Sequence, residues 1–145
     1  MNHFFDYDDS YSATSYESSV RSSMQWPISK KSVIKLPIGD RTKPYSSLLV
    51  ATGSAISFLA VNRKKIPNLR HKDAMAWKCN PDGIVHTLGT ATYNLCFGRT
   101  TIKHEFHLVQ NLVNLEYDGM LGCDFVVKYG CSINFERYLI TINFD

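Results

Sequence analysis

The chain has 145 residues, of which 44% are hydrophobic and 20% are charged, an ordinary globular composition for about one domain. This composition excludes collagen-like, wholly disordered and acidic-tail chains. The 16 basic and 13 acidic residues give a net charge of +3, which does not by itself indicate nucleic-acid binding. The most apolar stretch, residues 48–61, is interrupted by Thr, Gly and Ser and is shorter than the roughly 20 apolar residues of a membrane-spanning helix.

The first 30 residues differ in composition from the rest of the chain. They carry four acidic and two basic residues, so their net charge is −2 and that of the remainder is +5. Seven serines lie between Ser10 and Ser23, with tyrosines among them and without hydrophobic periodicity. Such a segment is typical of a flexible arm. The sequence therefore predicts an acidic Ser/Tyr-rich arm at 1–30 and a folded domain at 31–145.

The N-terminus and the cysteines predict an intracellular, cytoplasmic protein. The first residues are acidic, whereas a secretory signal begins with basic residues. No two cysteines form a C-x-x-C pair, so we expect reduced thiols and no zinc site, which would need more closely spaced ligands. The four cysteines are Cys79, Cys96, Cys123 and Cys131.

From residue 31 onward, short apolar runs separated by turn residues predict β-strands. Pro81-Asp82-Gly83 predicts one hairpin, Gly98-Arg99 a second and Glu136-Arg137 a third. In the run at 101–109, apolar and polar side chains alternate, as in a half-buried strand. The predicted strands lie at residues 32–37, 46–50, 56–61, 74–79, 84–88, 93–97, 101–109, 133–135 and 138–144.

One segment near the C-terminus has helical spacing. Leu121, Phe125 and Tyr129 are four residues apart, and Gly130 stands where a helix commonly ends. The predicted class is therefore mostly β with one short C-terminal helix.

Two motifs carry the chemical information. Apolar residues run into Ala51-Thr52-Gly53-Ser54 and out into a second apolar run, and Asp118-Gly119-Met120-Leu121-Gly122-Cys123-Asp124-Phe125 opens the helix. The first motif resembles the active-site loop of retropepsins, the aspartic proteases of retroviruses and retrotransposons, which reads apolar-apolar-Asp-Thr/Ser-Gly-Ser/Ala. The second is similar to the Ile-Leu-Gly-x-Asp-Phe segment of long-terminal-repeat retrotransposons. Their order, their spacing and the hairpin between them make the resemblance fairly specific over 31–145.

The resemblance implies a closed β-barrel subunit that acts as a homodimer, because one chain supplies half of the active site. It implies that Thr52 bonds across the two-fold axis, that Gly53 lets the substrate backbone approach and that Ser54 bonds to the catalytic carboxylate. The strand Leu139–Phe144 is the candidate for an edge strand that pairs with the partner subunit, and an ordinary internal strand is the alternative. The resemblance implies no cofactor.

The resemblance also implies the substrate and its binding residues. The substrate would be an extended segment of a polyprotein, pairing with main chain beneath two flaps, in the cytoplasm or within virus-like particles. Asp82 and Gly83 fall at the expected flap tip. Phe58, Ile84 and Met120 are pocket candidates, and burial in the core explains each of them equally well.

The chain departs from the retropepsin pattern at the catalytic position, where it has Ala51 instead of Asp. The reaction needs two carboxylates that share a proton, one as base for the attacking water and the other as acid. A methyl group can do neither, so we expect the chain as written not to cleave peptides. Ala51 is either an engineered knock-out of an active protease, which we favour, or the mark of a natural non-catalytic homodimeric peptide-binding domain.

Three further signals carry less weight. The basic residues within 62–72 could contact RNA, but they lack interleaved aromatic side chains for base stacking, so a solvated loop is the simpler interpretation. His104 and His107 lie three apart on a predicted strand and should point to opposite faces, which argues against a metal site. Asp124, at the start of the helix, is expected to bond backbone donors there.

Overall fold

The computed structural model describes residues 21–61, 69–80, 83–110 and 116–144. All nine predicted runs form strands. Phe135 and Tyr138, which were included in the last two runs, are exposed and lie in the turn between those strands. A short 3-10 helix, His71–Asp73, precedes the first hairpin. The elements are β1 (Ser22–Pro27), β2 (Val33–Pro37), β3 (Tyr45–Val50), β4 (Phe58–Val61), β5 (Ala76–Asn80), β6 (Gly83–His86), β7 (Gly89–Phe97), β8 (Thr100–Gln110), β9 (Gly119–Leu121), α1 (Cys123–Lys128), β10 (Ser132–Asn134) and β11 (Leu139–Phe144).

The main sheet has six strands in the order β2-β3-β9-β4-β8-β7. The pairs β3–β9 and β4–β8 are parallel, and the other neighbours are antiparallel. Beyond β2, Ile38 forms a bridge with Leu95 on β7, and the Gly39 N–H donates to the Asn94 carbonyl at 2.9 Å. The two edge strands thus meet and the sheet curls on itself, which confirms the mostly β, barrel-like class predicted from the sequence.

The core lies inside this curled sheet. On β8 the side chains of Ile102, Phe106 and Leu108 are buried while Lys103 and Glu105 are exposed, as the alternation in the sequence predicts. Apolar side chains from the main sheet, from α1 and from β11 form one cluster. Its members with no exposed surface include Ile34, Leu36, Leu48, Leu95, Leu121, Phe125, Ile140 and Ile142.

A second sheet joins the two ends of the described chain, in the order β1-β11-β10. Strand β1 pairs with β11 along its whole length, from Ser22 opposite Phe144 to Pro27 opposite Leu139. The arm predicted at 1–30 is therefore too long: the folded domain includes residues from 21, and residues 1–20 lie outside the described part of the chain. The only apolar residues that alternate in this segment are Met24 and Trp26, and serines precede them. The composition of the segment therefore resembles that of the arm, and β1 is not predicted from it.

The position of β11 corrects a second expectation. Leu139–Phe144 was expected to be an edge strand that pairs with a partner subunit, but β1 and β10 flank it within the chain. On one side β1 pairs with the whole strand, and on the other β10 pairs with Leu139–Thr141 while the Asn143 N–H donates to the Tyr129 carbonyl at 2.8 Å, so β11 is an internal strand of this sheet. The edges of this sheet are the outer sides of β1 and β10.

Helix α1 ends as the sequence predicts. Gly130 has a φ of 47°, in the left-handed region where glycine is least strained. The Gly130 N–H donates to the Val127 carbonyl at 3.2 Å and the Cys131 N–H to that of Val126 at 2.9 Å, the paired bonds of a Schellman motif.

Burial raises the pKa of Cys131 to about 12, so this thiol is unreactive. No helix in the described ranges has the length and apolar character to cross a membrane.

The new domain boundary can be tested at Trp26. Its indole N–H donates to the Lys35 carbonyl at 3.0 Å, and its ring packs edge-on against Phe97 at 5.4 Å. Trp26→Ala should lower the free energy of unfolding by about 2 kcal/mol because it removes this packing. Gln25→Ala, an exposed neighbour on the same strand, should change it by less than about 0.5 kcal/mol. Urea denaturation measures the free energy of unfolding of both variants. Equal losses in the two would indicate that residues 21–30 belong to the arm predicted at 1–30 and not to the folded domain.

Candidate functional site

The turn after β3 contains the residues that the sequence analysis placed at the catalytic position. The Ala51 N–H donates to the Leu121 carbonyl at 2.8 Å, which continues the β3–β9 pairing, and the Ser54 N–H donates to the Ala51 carbonyl at 3.1 Å. Thr52 and Gly53 are exposed at the tip. The Ser54 hydroxyl donates to the Ile56 carbonyl at 2.8 Å. The turn is therefore closed by main-chain bonds and by its own serine.

The start of α1 lies against this turn. The Cys123 N–H donates to the Ser54 carbonyl at 2.6 Å. A Cβ atom built on Gly122 would lie 2.3 Å from the Ile56 carbonyl oxygen and 2.7 Å from that of Ser54. Such distances are much shorter than any real carbon–oxygen contact, so this approach requires glycine at position 122. The close approach of residues 54–56 thus explains why the second motif has glycine at position 122.

A buried polar cluster lies directly behind the contact. The Ser57 hydroxyl donates to Asp124 Oδ1 at 2.6 Å and accepts the Gly122 N–H at 2.9 Å. Asp124 also accepts the N–H groups of Ser57 and Phe125, at 3.2 and 2.8 Å, so the expectation that it bonds backbone donors at the helix start is confirmed. Ser57 has no exposed surface, although it was not singled out in the sequence. In the sequence, the one feature that marks Ser57 is a hydroxyl side chain between the apolar residues Ile56 and Phe58.

His104 completes the cluster from β8. Its Nε2 lies 3.0 Å from the Ser57 hydroxyl and 3.3 Å from Asp124 Oδ2, and its side chain is 5% exposed. The rings of Phe106 and Phe125 enclose it, each edge-on at 5.1 Å. From the sequence alone, His104 is a candidate only for a metal ligand. Its 47-residue separation from Ser57 along the chain left no local pattern that could link the two.

A serine, a histidine and an aspartate together suggest a nucleophilic triad, but the geometry excludes one. In such a triad the imidazole bonds the serine through one nitrogen and the acid through the other. Here a single nitrogen of His104 faces both partners, and the Ser57 hydrogen is directed to Asp124. Ser57 is also fully buried, so no substrate carbonyl can reach it. The cluster has a structural arrangement and not that of a nucleophile.

Two of the predicted pocket residues lie side by side. Phe58 is opposite Met120 on β9 and opposite His107 on β8, while Met120 is also opposite Leu49 on β3. Directly opposite residues share a face of the sheet, so these four side chains form a row across four strands. Phe58 is 8% exposed and Met120 is partly exposed. His104 and His107 lie on opposite faces of β8, as predicted.

The other predicted substrate-binding residues belong to a separate hairpin. Gly83 pairs with Asn80, and Ile84 with Lys78, in the two-stranded sheet of β5 and β6. Asp82 lies outside the described residues. The structure thus confirms the hairpin but does not place Gly83 or Ile84 beside the row of Phe58 and Met120.

The base of this hairpin is tied to the main sheet through the end of the basic segment. Arg70 bridges to Thr90 through the backbone, and its guanidinium contacts the Thr90 hydroxyl at 3.1 Å. It also forms ion pairs with Asp73 and Glu105. Residues 62–68 of the basic segment lie outside the described part of the chain. Among the described residues, no three side chains of metal-ligand type converge on one point.

The steric role of Gly122 predicts a contrast with Gly53. Gly122→Ala should lower the free energy of unfolding by about 1–3 kcal/mol, because the added methyl pushes residues 54–56 away from the helix. Gly53→Ala should change it by less than about 0.5 kcal/mol, since nothing lies within 4 Å of a Cβ built there. Thermal or urea denaturation of both variants provides the comparison. A loss at position 53 as large as that at 122 would contradict this assignment.

The Asp124 carboxylate predicts a pH dependence. Burial alone would raise the pKa of Asp124, but hydrogen bonds from His104 and Ser57, the charge of His104 and the Phe125 N–H together lower it below its usual 3.8. A carboxyl whose pKa is lower in the folded state stabilises the protein above the unfolded pKa, and this stabilisation is lost as the pH falls through the folded pKa.

We therefore expect the free energy of unfolding to fall below about pH 4, and Asp124→Asn to be less stable at pH 7 with a shallower acid decline. Urea denaturation from pH 7 to pH 3 measures both slopes. Glu136→Gln, at an exposed carboxylate of the last turn, is the matched control. Parallel curves for Asp124→Asn and the unsubstituted chain would refute the assignment.

No protein-family profile matches the chain. In an alignment of 93 residues that covers 61% of the chain, it is 32% identical to the retrovirus-related Pol polyprotein from transposon 412 of Drosophila melanogaster, and the match spans 7% of that polyprotein. Its fold is similar to the crystal structure of a retropepsin-like aspartic protease from Rickettsia conorii, with a TM-score of 0.51 and 14% identity over 90% of this chain and 97% of that one. The chain is therefore a retropepsin-like domain in its fold, with sequence similarity to a segment of a retrotransposon Pol polyprotein.

Proposed function

We propose that the chain is one subunit of a homodimeric retropepsin-type aspartic endopeptidase that processes a retrotransposon or retroviral-like polyprotein, in a form that lacks the catalytic carboxylate. The placement of Ala51 carries this proposal. It directly follows β3 within a retropepsin-like fold, its N–H bonds to the Leu121 carbonyl of β9, and it lies at the base of the exposed Thr52-Gly53 tip.

The chemistry explains why two subunits are needed. Aspartic proteases use two carboxylates that share one proton, so that one activates water while the other protonates the leaving group. One chain supplies a single turn of this kind, and the second must come from an identical subunit across a two-fold axis. The exposure of Thr52 and Gly53 leaves the tip of the turn open to such a partner. The methyl of Ala51 supplies neither an acid nor a base, so the chain as written is inactive.

The row of Leu49, Met120, Phe58 and His107 supports the binding of an extended peptide. Three of its four side chains are apolar, and Met120 is partly exposed beside Phe58. An extended segment presents alternate side chains to such a surface while its main chain pairs with strands. The substrate side chain over Met120 and Phe58 is therefore apolar.

A natural non-catalytic peptide-binding dimer is the second candidate, and the bonding of the turn favours it. The Ser54 hydroxyl, which was expected to bond a catalytic carboxylate, donates to the Ile56 carbonyl. The Ser54 hydroxyl therefore has an acceptor without an acid at position 51. The two candidates share the fold, the dimer and the peptide, and they differ only in whether an acid at position 51 is sufficient for cleavage.

Restoring the acid separates the two candidates. Ala51→Asp should cleave itself or a polyprotein substrate at acidic to neutral pH, with pepstatin blocking the reaction, because general acid–base groups contribute about 10²–10⁴-fold or more to the rate. Ala51→Asn, of nearly the same size but without an ionisable proton, is the control and should remain inert. Cleavage is followed by gel electrophoresis and mass spectrometry.

Sedimentation of each variant gives the oligomeric state that the proposal requires, which is a dimer. A folded, dimeric Ala51→Asp chain without cleavage would reject the protease and favour the peptide-binding domain. A strictly monomeric chain at high concentration would reject both.

A further inference from the structure

We propose that Ser57, His104 and Asp124 are positioning residues that hold the Ala51–Ser54 turn against the start of α1, with a proton fixed on His104 Nε2. We refer to these three side chains as the positioning network. The inference rests on the proposed function only for the role of the turn in cleavage. Its structural part stands on the bonds of the network.

The Ser57 hydroxyl determines the direction of every bond around it. A hydroxyl has one hydrogen to donate and two lone pairs that accept. An ionised carboxylate only accepts, so the 2.6 Å contact with Asp124 uses the Ser57 hydrogen. One lone pair accepts the Gly122 N–H at 2.9 Å. The remaining lone pair faces His104 Nε2 at 3.0 Å, so this nitrogen has to be the donor.

The surroundings of His104 agree with this assignment. The same Nε2 lies 3.3 Å from Asp124 Oδ2, a second acceptor for its hydrogen. The faces and edges of the ring contact Phe106, Phe125 and Tyr129, which hold it in one orientation. A deprotonated Nε2 would place a lone pair against two acceptors in a buried site, which is unfavourable.

The network reaches the turn through a short chain of bonds. Ser57 and Asp124 connect the segment after the turn to the start of the helix, and the Cys123 N–H bonds to the Ser54 carbonyl three residues before Ser57. The Ser54 N–H in turn bonds to the Ala51 carbonyl. His104 adds β8 as a third element. Loss of one member leaves buried donors or acceptors without partners, and the displacement passes to residue 51.

The proton on Nε2 is tested on the full unsubstituted chain. Long-range ¹H–¹⁵N NMR correlations of the imidazole rings report which nitrogens carry a proton. We expect His104 Nε2 to carry a slowly exchanging proton, whereas the ring protons of His71, exposed on the 3-10 helix, should exchange rapidly. A His104 whose Nε2 carries no proton would overturn the inference. This measurement needs no variant, so it decides the case even if substitutions in the network prevent folding.

Substitution of Ser57 tests the effect on the turn. Ser57→Ala should accelerate amide exchange at Gly122 by about tenfold, since a buried N–H loses its acceptor, and should shift the amide resonances of Thr52 and Gly53. Ser57→Thr keeps the hydroxyl, so the slow amide exchange at Gly122 and the amide resonances of Thr52 and Gly53 should stay close to those of the unsubstituted chain. Ser23→Ala, at an exposed serine of β1, is the control. Unchanged exchange at Gly122 together with unchanged resonances of the tip would overturn the positioning role.

Activity adds a separate comparison. If Ala51→Asp cleaves substrate, Ser57→Ala in that background should lower kcat by about tenfold to a hundredfold with little change in KM, because a misplaced acid affects the chemical step. A rise in KM alone would contradict the inference. If Ala51→Asp is inert, the proposed function fails while the NMR measurements still decide whether the network positions the turn.

Discussion

The close approach between residues 54–57 and residues 122–124 is the constraint on which the candidate site depends. Main-chain atoms of the two segments come so near that position 122 has no room for a side chain. Ser57 has no exposed surface, so its polar groups and the N–H of Gly122 that bonds to it need partners within the protein. Ser57 and Asp124 provide these partners, and His104 contributes a third from β8. The turn, the helix start and the main sheet are thus joined at one point.

Residue 51 takes part in this arrangement only through its backbone. Its N–H bonds to β9 and its carbonyl accepts from Ser54, so the described bonds that shape the turn do not involve its side chain. The scaffold that would present an acid is therefore separate from the acid itself. This separation is consistent with a chain that keeps the retropepsin-like fold while Ala51 supplies no proton donor or acceptor.

The sequence predicts those features that depend on neighbouring residues. The alternation in β8, the strand pairings of the three predicted hairpins and Gly130 after α1 follow from local patterns, and each is confirmed. Strand β9 has only three residues and shows no periodicity of its own; its pairing with β3 and β4 depends on contacts distant in sequence. The positioning network was not predictable for the same reason, since it forms only because β4 and β8 lie side by side in parallel. Strand β1 was missed because its stability comes from β11, more than a hundred residues away.

The pairing of β1 with β11 has a topological consequence for a domain carried within a longer polypeptide. Ser22 lies opposite Phe144, so the described part of the chain begins and ends at adjacent points on one side. Segments joined at these two points begin next to each other, whatever their length. Such a unit can be inserted between flanking regions, or excised from them, with little change in the distance that separates those regions.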